Sequence, residues 1–205
     1  MTAAPTAQAA GVRTPADRYT AVAITLHWLI AILILTNIGL AWYFGTLKGL
    51  EQVPPIQLHK SIGITVLLLT VLRILWRFVS PPPPMPADVK GWERFVAQAV
   101  HGLFYVIMLG MPLTGWAMVS ASPLIHVFPI KLYNTVPWPA IGPLTTLPHD
   151  QMKAAHKAMA TSHELLAYMA YGLIVLHVGA ALMHQFVRRD VIVSRMIPFL
   201  KARRA

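Results

Sequence analysis

The sequence predicts an all-α integral membrane protein, a four-helix bundle with both chain ends in the cytoplasm. Three observations point there. Of the 205 residues, 56% are apolar and only 12% charged, against about a quarter charged in a soluble globular domain. Four apolar runs are each long enough to cross a bilayer, which takes about 20 helical residues. Finally, lysines and arginines concentrate in alternate connections, as they do where cytoplasmic loops are basic.

Composition also removes whole classes of function. The formal charge of +10 raises the question of nucleic acid. The basic residues, however, flank apolar runs instead of clustering with aromatics, so lipid is the expected partner and nucleic acid is not. The chain has no cysteine, which rules out disulfides, thiolate-held iron–sulfur clusters and covalently attached c-type haem. Nine histidines among so few polar residues are then its main chemical resource.

Taken in order, residues 1–18 are rich in Ala, Thr and Pro and read as a disordered cytoplasmic tail. The first span, about 21–44, carries His27 and ends on Trp42 and Tyr43, as interfacial aromatics do. A short loop follows, in which Pro54 and Pro55 are expected to end any helix. The second span, about 58–79, opens with His59 and Lys60 and closes with Arg73 and Arg77. Those arginines are four apart, so they share a face and are expected to snorkel to the lipid headgroups.

The run SPPPPMP from Ser80 to Pro86 is a stiff connector. The third span, about 96–119, holds His101 near its start and Pro112 inside. Residues 120–160 form the longest connection, whose prolines and aromatics suggest a compact cap at the outer membrane surface. The fourth span is about 161–187, with its helix starting near Asp150, and a basic tail of Lys201, Arg203 and Arg204 occupies 199–205. The transmembrane unit as a whole is read as 19–198. Its tails and second connection are the basic ones, which places both termini inside.

The fourth span organises the chemistry. His163 and His177 are fourteen residues apart, so on a helix they point within roughly 40° of each other, about 21 Å apart along the axis. Two imidazoles on one face, one near each membrane surface, suit two haems stacked across the bilayer, provided neighbouring helices supply the partners. Depth supplies them. His59 and His163 both lie at the outer end and pair almost without choice. For His27 the inner partner is either His177 or His184, which are seven apart on nearly the same face; depth and angle leave both open. A lone histidine in a span often only hydrogen-bonds across the bundle. Four that pair by depth on three helices point to function instead, because intramembrane ionisable groups are costly. His126 and His149 are assigned to surface structure; His101 and His156 are left without a role.

These residues resemble the bacterial cytochrome b561 family, four-helix di-haem b proteins of the inner membrane. The resemblance is carried by RYTAVAITLHWLIA, by LHKSIGITVLLLTVLRILWRF with the proline run after it, by HGLFYVIMLGMPLTGW and by SHELLAYMAYGLIVLHVGAALMHQF. It implies axial haem ligands at His27, His59, His163 and His177, and so favours His177 as the partner of His27. His184 matches a position near the cytoplasmic surface associated with the quinone site; Arg73 is a second candidate there, and could instead pair with an inner haem propionate or snorkel to lipid headgroups. The longer tail and the longer, proline-rich outer loop depart from the family pattern.

The implied activity is that of a haem-dependent oxidoreductase, with superoxide oxidised at the outer haem and ubiquinone reduced near the inner one. Lys60, Lys153 and Lys157 lie near the outer histidines, where a positive mouth would draw in a small anion. Small residues beside the histidines (Ala23, Gly63, Gly179, Ala180) would leave room for a flat macrocycle. Two alternatives compete: a cytochrome b subunit taking electrons from a partner dehydrogenase or hydrogenase, and a non-redox membrane protein binding a metal such as zinc.

Overall fold

A computed structural model describes residues 18–86, 89–197 and 200. The two sequence-read tails therefore lie almost entirely outside the described residues. Among the described residues, four helices are long and apolar enough to cross a membrane. Helix α1 spans Ala21–Thr46, α2 Val53–Val79, α3 Gly91–Ser120 and α5 His149–Leu182; a four-residue α4, Gly142–Thr145, lies in the outer connection. With its terminal π turn at Met183–Arg188, α5 continues for 40 residues. That is about 60 Å, roughly twice the hydrocarbon thickness of a bilayer, so its first turns stand outside the membrane.

Each helix start has a local cause. The Thr20 hydroxyl accepts from the Ala23 N–H and caps α1. Pro54 and Pro55 do not end a helix as expected; they lie in the first turn of α2, where the missing N–H groups would have had no partner anyway. Helix α3 begins at Gly91 and runs through Pro112 without interruption. Hydroxyls inside the spans turn back on their own helices: Ser61 donates to the Gln57 carbonyl, Thr65 to Ser61 and Ser120 to Trp116, at 2.7–2.9 Å. In lipid no water would answer those groups, so the helix must.

The helices pack in a row: α1 lies along α2, α2 along α3, and α3 along α5. One apolar cluster (Ile30, Ile62, Val66, Met108) joins the first three. Another (Ile107, Ala170, Leu173) joins α3 to α5. By contrast, α5 does not lie along α1 or α2. The exposed leucines, valines and phenylalanines elsewhere on the spans are the lipid-facing surface of such a bundle.

The outer connection is a cap fastened to the bundle. A two-residue-per-strand hairpin, β1 Lys131–Leu132 with β2 Val136–Pro137, pairs Leu132 with Val136. Tyr133 at its turn donates its N–H to Ser61 Oγ at 2.9 Å, and its hydroxyl lies 2.8 Å from Thr65 Oγ1. Trp116 donates to the Pro139 carbonyl at 2.8 Å. At the opposite end the chain folds back on itself. Trp28 donates to the Met196 carbonyl at 3.0 Å and Arg195 to the Pro84 carbonyl at 2.7 Å. Arg188 makes a two-pronged pair with Glu93 that ties the end of α5 to the start of α3.

Candidate functional site: two stacked histidine pairs

Two pairs of imidazoles bridge the space that helix packing leaves open. His59 of α2 and His163 of α5 have ring centres 6.3 Å apart; His27 of α1 and His177 of α5 have theirs 6.2 Å apart. An imidazole nitrogen stands about 2 Å from a metal it ligates, and about 1 Å from its own ring centre. Two rings on opposite sides of one ion therefore have centres roughly 6 Å apart. Both separations match that figure. Of the two inner candidates, the structure places His177 beside His27, while His184 turns away.

The outer pair is fixed by backbone. His59 Nδ1 donates to the Asn37 carbonyl of α1 at 3.1 Å, and His163 Nδ1 donates to the Met111 carbonyl of α3 at 2.9 Å. A carbonyl can only accept, so each Nδ1 carries the proton and each Nε2 offers a lone pair. Thr114 Oγ1 lies 3.3 Å from the same His163 nitrogen. Gly115 leaves room here, since a Cβ at that position would stand 3.1 Å from the His163 ring, a tight contact. Phe44 packs edge-on to His59 at 5.4 Å.

The inner pair is held differently. Arg73 Nη1 lies 3.1 Å from His27 Nδ1. A guanidinium only donates, so this nitrogen must accept. Arg73 thus points into the bundle and does not snorkel outward as the sequence reading expected; a helix position gives the depth of a side chain but not the direction of its long stem. His177 touches the rings of His27, Phe104 and His101, the last at 5.7 Å. His101, which the sequence reading left without a role, is therefore a third imidazole at the inner level. Its position ten residues into α3 was the available signal.

The remaining site candidates fall as follows. His184 Nδ1 pairs with Asp190 Oδ2 at 2.5 Å, and the other Asp190 oxygen accepts the Ile192 N–H at 3.0 Å. His156 donates to the Met118 carbonyl at 2.8 Å, a structural tie between α5 and α3. His126 and His149 are exposed. Lys153 and Lys157 are exposed on the outer extension of α5, whereas Lys60 is half-buried. Gly63 faces Asn37 beside the outer pair, but Gly179 lies about 200° around α5 from His177 and does not border it.

These features fit a non-covalent haem b. The donors are imidazole nitrogens, each pair has the span of a single ion, and each joins helices whose backbones stand apart. Among the described residues no group of three histidine or acidic side chains is arranged to hold a metal ion.

Comparison with known proteins agrees. Residues 18–199 match the family described as prokaryotic cytochrome b561. Cytochrome b561 homolog 2 of Escherichia coli K12 is 32% identical, the match covering 88% of this chain and 92% of that protein. The probable superoxide oxidase CybB of Yersinia pestis is 28% identical over 88% of this chain and 96% of its own. Cytochrome b562 of Cereibacter sphaeroides is 30% identical, with 87% and 94% covered.

Proposed function

The chain belongs to the prokaryotic cytochrome b561 family, and from that premise we propose that it moves electrons across the bacterial inner membrane between an outer one-electron donor and ubiquinone. In this reading His59 and His163 hold an outer haem b, and His27 and His177 an inner one. The observation that carries it is the pair of matched imidazole separations, 6.3 and 6.2 Å, on α5 histidines about 21 Å apart along the helix. A bis-imidazole haem, once bound, supplies one-electron outer-sphere transfer and leaves no open position for oxygen.

The chain's own residues do the rest. The Asn37 and Met111 carbonyls keep the outer rings in the ligating tautomer. Superoxide is the proposed donor; the relative from Yersinia carries a superoxide oxidase name, and Lys60, Lys153 and Lys157 would favour an anion's approach. The balanced reaction takes two superoxide ions, one quinone and two protons to two oxygens and one quinol. In this reading His184 would handle those protons at the cytoplasmic end. Its Nδ1 pairs with Asp190 Oδ2 at 2.5 Å, which would leave Nε2 as the nitrogen for that relay. Arg73, the other quinone-site candidate, lies beside the inner pair.

The test is a reduced-minus-oxidised spectrum of the purified protein with haem-to-protein stoichiometry. Two b haems per chain are expected, reducible by superoxide and reoxidised by a short-chain ubiquinone. A colourless protein, or one haem per chain, would sink the scheme.

A further inference from the structure

At the inner end, the last turns of α2, the proline connector and α3 enclose an open crevice of about 450 Å³, lined by Ile74, Arg77, Phe78, Pro81, Pro82 and Tyr105. A second, smaller hollow continues from it past Arg77 to Tyr19, Trp76 and Met196. The chemistry is divided. Ile74, the prolines and Phe78, which is 80% exposed, form an apolar wall open to lipid. Arg77 brings positive charge to the same crevice. Arg77 lies 6.0 Å over the Tyr105 ring. The Tyr19 phenol is within electrostatic reach of Arg77, Arg195 and Arg73; burial pushes it up, and the three guanidiniums oppose that shift.

Among the described residues that charge has no counter-ion. The carboxylates described at this end are already engaged, Glu93 by Arg188 and Asp190 by His184. Arg73 is turned to His27. Arg195 spends one N–H on the Pro84 carbonyl, while its buried Nε has no partner among the described residues. A buried guanidinium N–H without an acceptor is costly, and Arg77 on the crevice lining, with Arg195 reaching the adjoining proline connector at Pro84, calls for an anion attached to a hydrocarbon. A quinone has no charge to offer them, and a free inorganic anion would leave the wall unused.

We propose that this crevice binds one anionic phospholipid, its phosphodiester between Arg77 and Arg195 and an acyl chain along Ile74 and Phe78. Basic pockets between spanning helices suit such headgroups, and guanidiniums match phosphate oxygens in bidentate geometry. The smaller hollow is also lined by Arg73, whose Nη1 lies 3.1 Å from His27 Nδ1, so the site adjoins the inner histidine pair, but the proposal does not depend on the redox reading.

Trp76 lines the hollow and serves as the reporter. The holoprotein is placed in phosphatidylcholine nanodiscs with increasing dibrominated phosphatidylglycerol, and quenching of Trp76 is read as the difference between the native chain and Trp76→Phe. Half-maximal quenching is expected at about one-tenth of the fraction that dibrominated phosphatidylcholine requires. The preference should vanish in Arg77→Gln/Arg195→Gln and survive in Arg77→Lys/Arg195→Lys. Native mass spectrometry should show one retained phosphatidylglycerol, lost only from the Gln variant. Equal quenching by the two lipids, or a preference that persists in the Gln variant, would overturn the proposal. So would displacement of the bromolipid by millimolar inorganic phosphate or by a short-chain ubiquinone.

Discussion

The outer and inner histidine pairs differ by only 0.1 Å in ring separation, yet they are prepared for a metal in different ways. At the outer level both rings hang from backbone carbonyls on other helices, so tautomer and direction are set before any ligand arrives. At the inner level His27 faces a guanidinium, which forces the proton onto Nε2, the nitrogen that would ligate. For Nε2 of His27 to ligate a metal, Arg73 would have to release Nδ1 and the proton would have to leave or move there. His177 has no backbone anchor among the described residues and is steadied by neighbouring rings. The outer pair is therefore preorganised, whereas the inner pair would have to rearrange to hold a metal.

The largest test removes a ligand from each level. His59→Ala should take the stoichiometry from two haems to one, because no other imidazole in contact with His163 is described. His27→Ala should keep part of its inner haem with an altered spectrum, since His101 stands 5.7 Å from His177. The double variant His27→Ala/His101→Ala should lose the inner haem completely. Equal, complete losses from His59→Ala and His27→Ala would erase the distinction. Gly115→Ala comes next. Its Cβ would press within 3.1 Å of a ring pinned by Met111 and Thr114, so the ring cannot easily give way. Outer-haem occupancy should fall by roughly tenfold at limiting haem, about 1.4 kcal/mol, while the inner band is unchanged.

How much of this was legible beforehand depended on what each signal measures. Apolar length placed all four spans, because lipid demands about 20 helical residues per crossing. Depth alone brought His59 to His163. It did not separate His177 from His184, since both lie on one face. What separates them is local to the end of α5: a π turn and Arg189 at φ 54° bring Asp190 back onto His184. A carboxylate six residues on leaves no trace in helical periodicity. The cap hairpin was hidden too, because Tyr133 and Asn134 both adopt positive φ and tyrosine is an uncommon residue in that region. Arg73 was misread as snorkelling because charge at a membrane boundary usually does snorkel, and only packing shows which way it turns.

Arg73→Gln sharpens the inner side of the comparison. A fixed positive charge beside a haem favours its reduced, less positive state. Losing it should lower the inner midpoint potential by roughly 60 mV, a tenfold change in a one-electron equilibrium. The outer potential should not move. If haem redox titration shows the two potentials falling together, Arg73 is not specific to the inner pair.

The smallest effect belongs to the outer lysines. Lys153 and Lys157 are exposed on the extension of α5, where the Debye length at physiological salt is about 8 Å. Charges of that kind change how often a small anion arrives, not what happens once it is there. Lys60 is half-buried next to His59 and should carry more of the attraction than either exposed lysine. The Lys60→Gln/Lys153→Gln/Lys157→Gln variant should therefore slow superoxide-dependent haem reduction by about threefold at low salt and hardly at all at 0.5 M. Haem content and ubiquinone reoxidation should stay at native values. A rate indifferent to both the substitutions and the salt would mean that these lysines only solvate the membrane surface, and that the preference for an anionic donor must come from the outer pair itself.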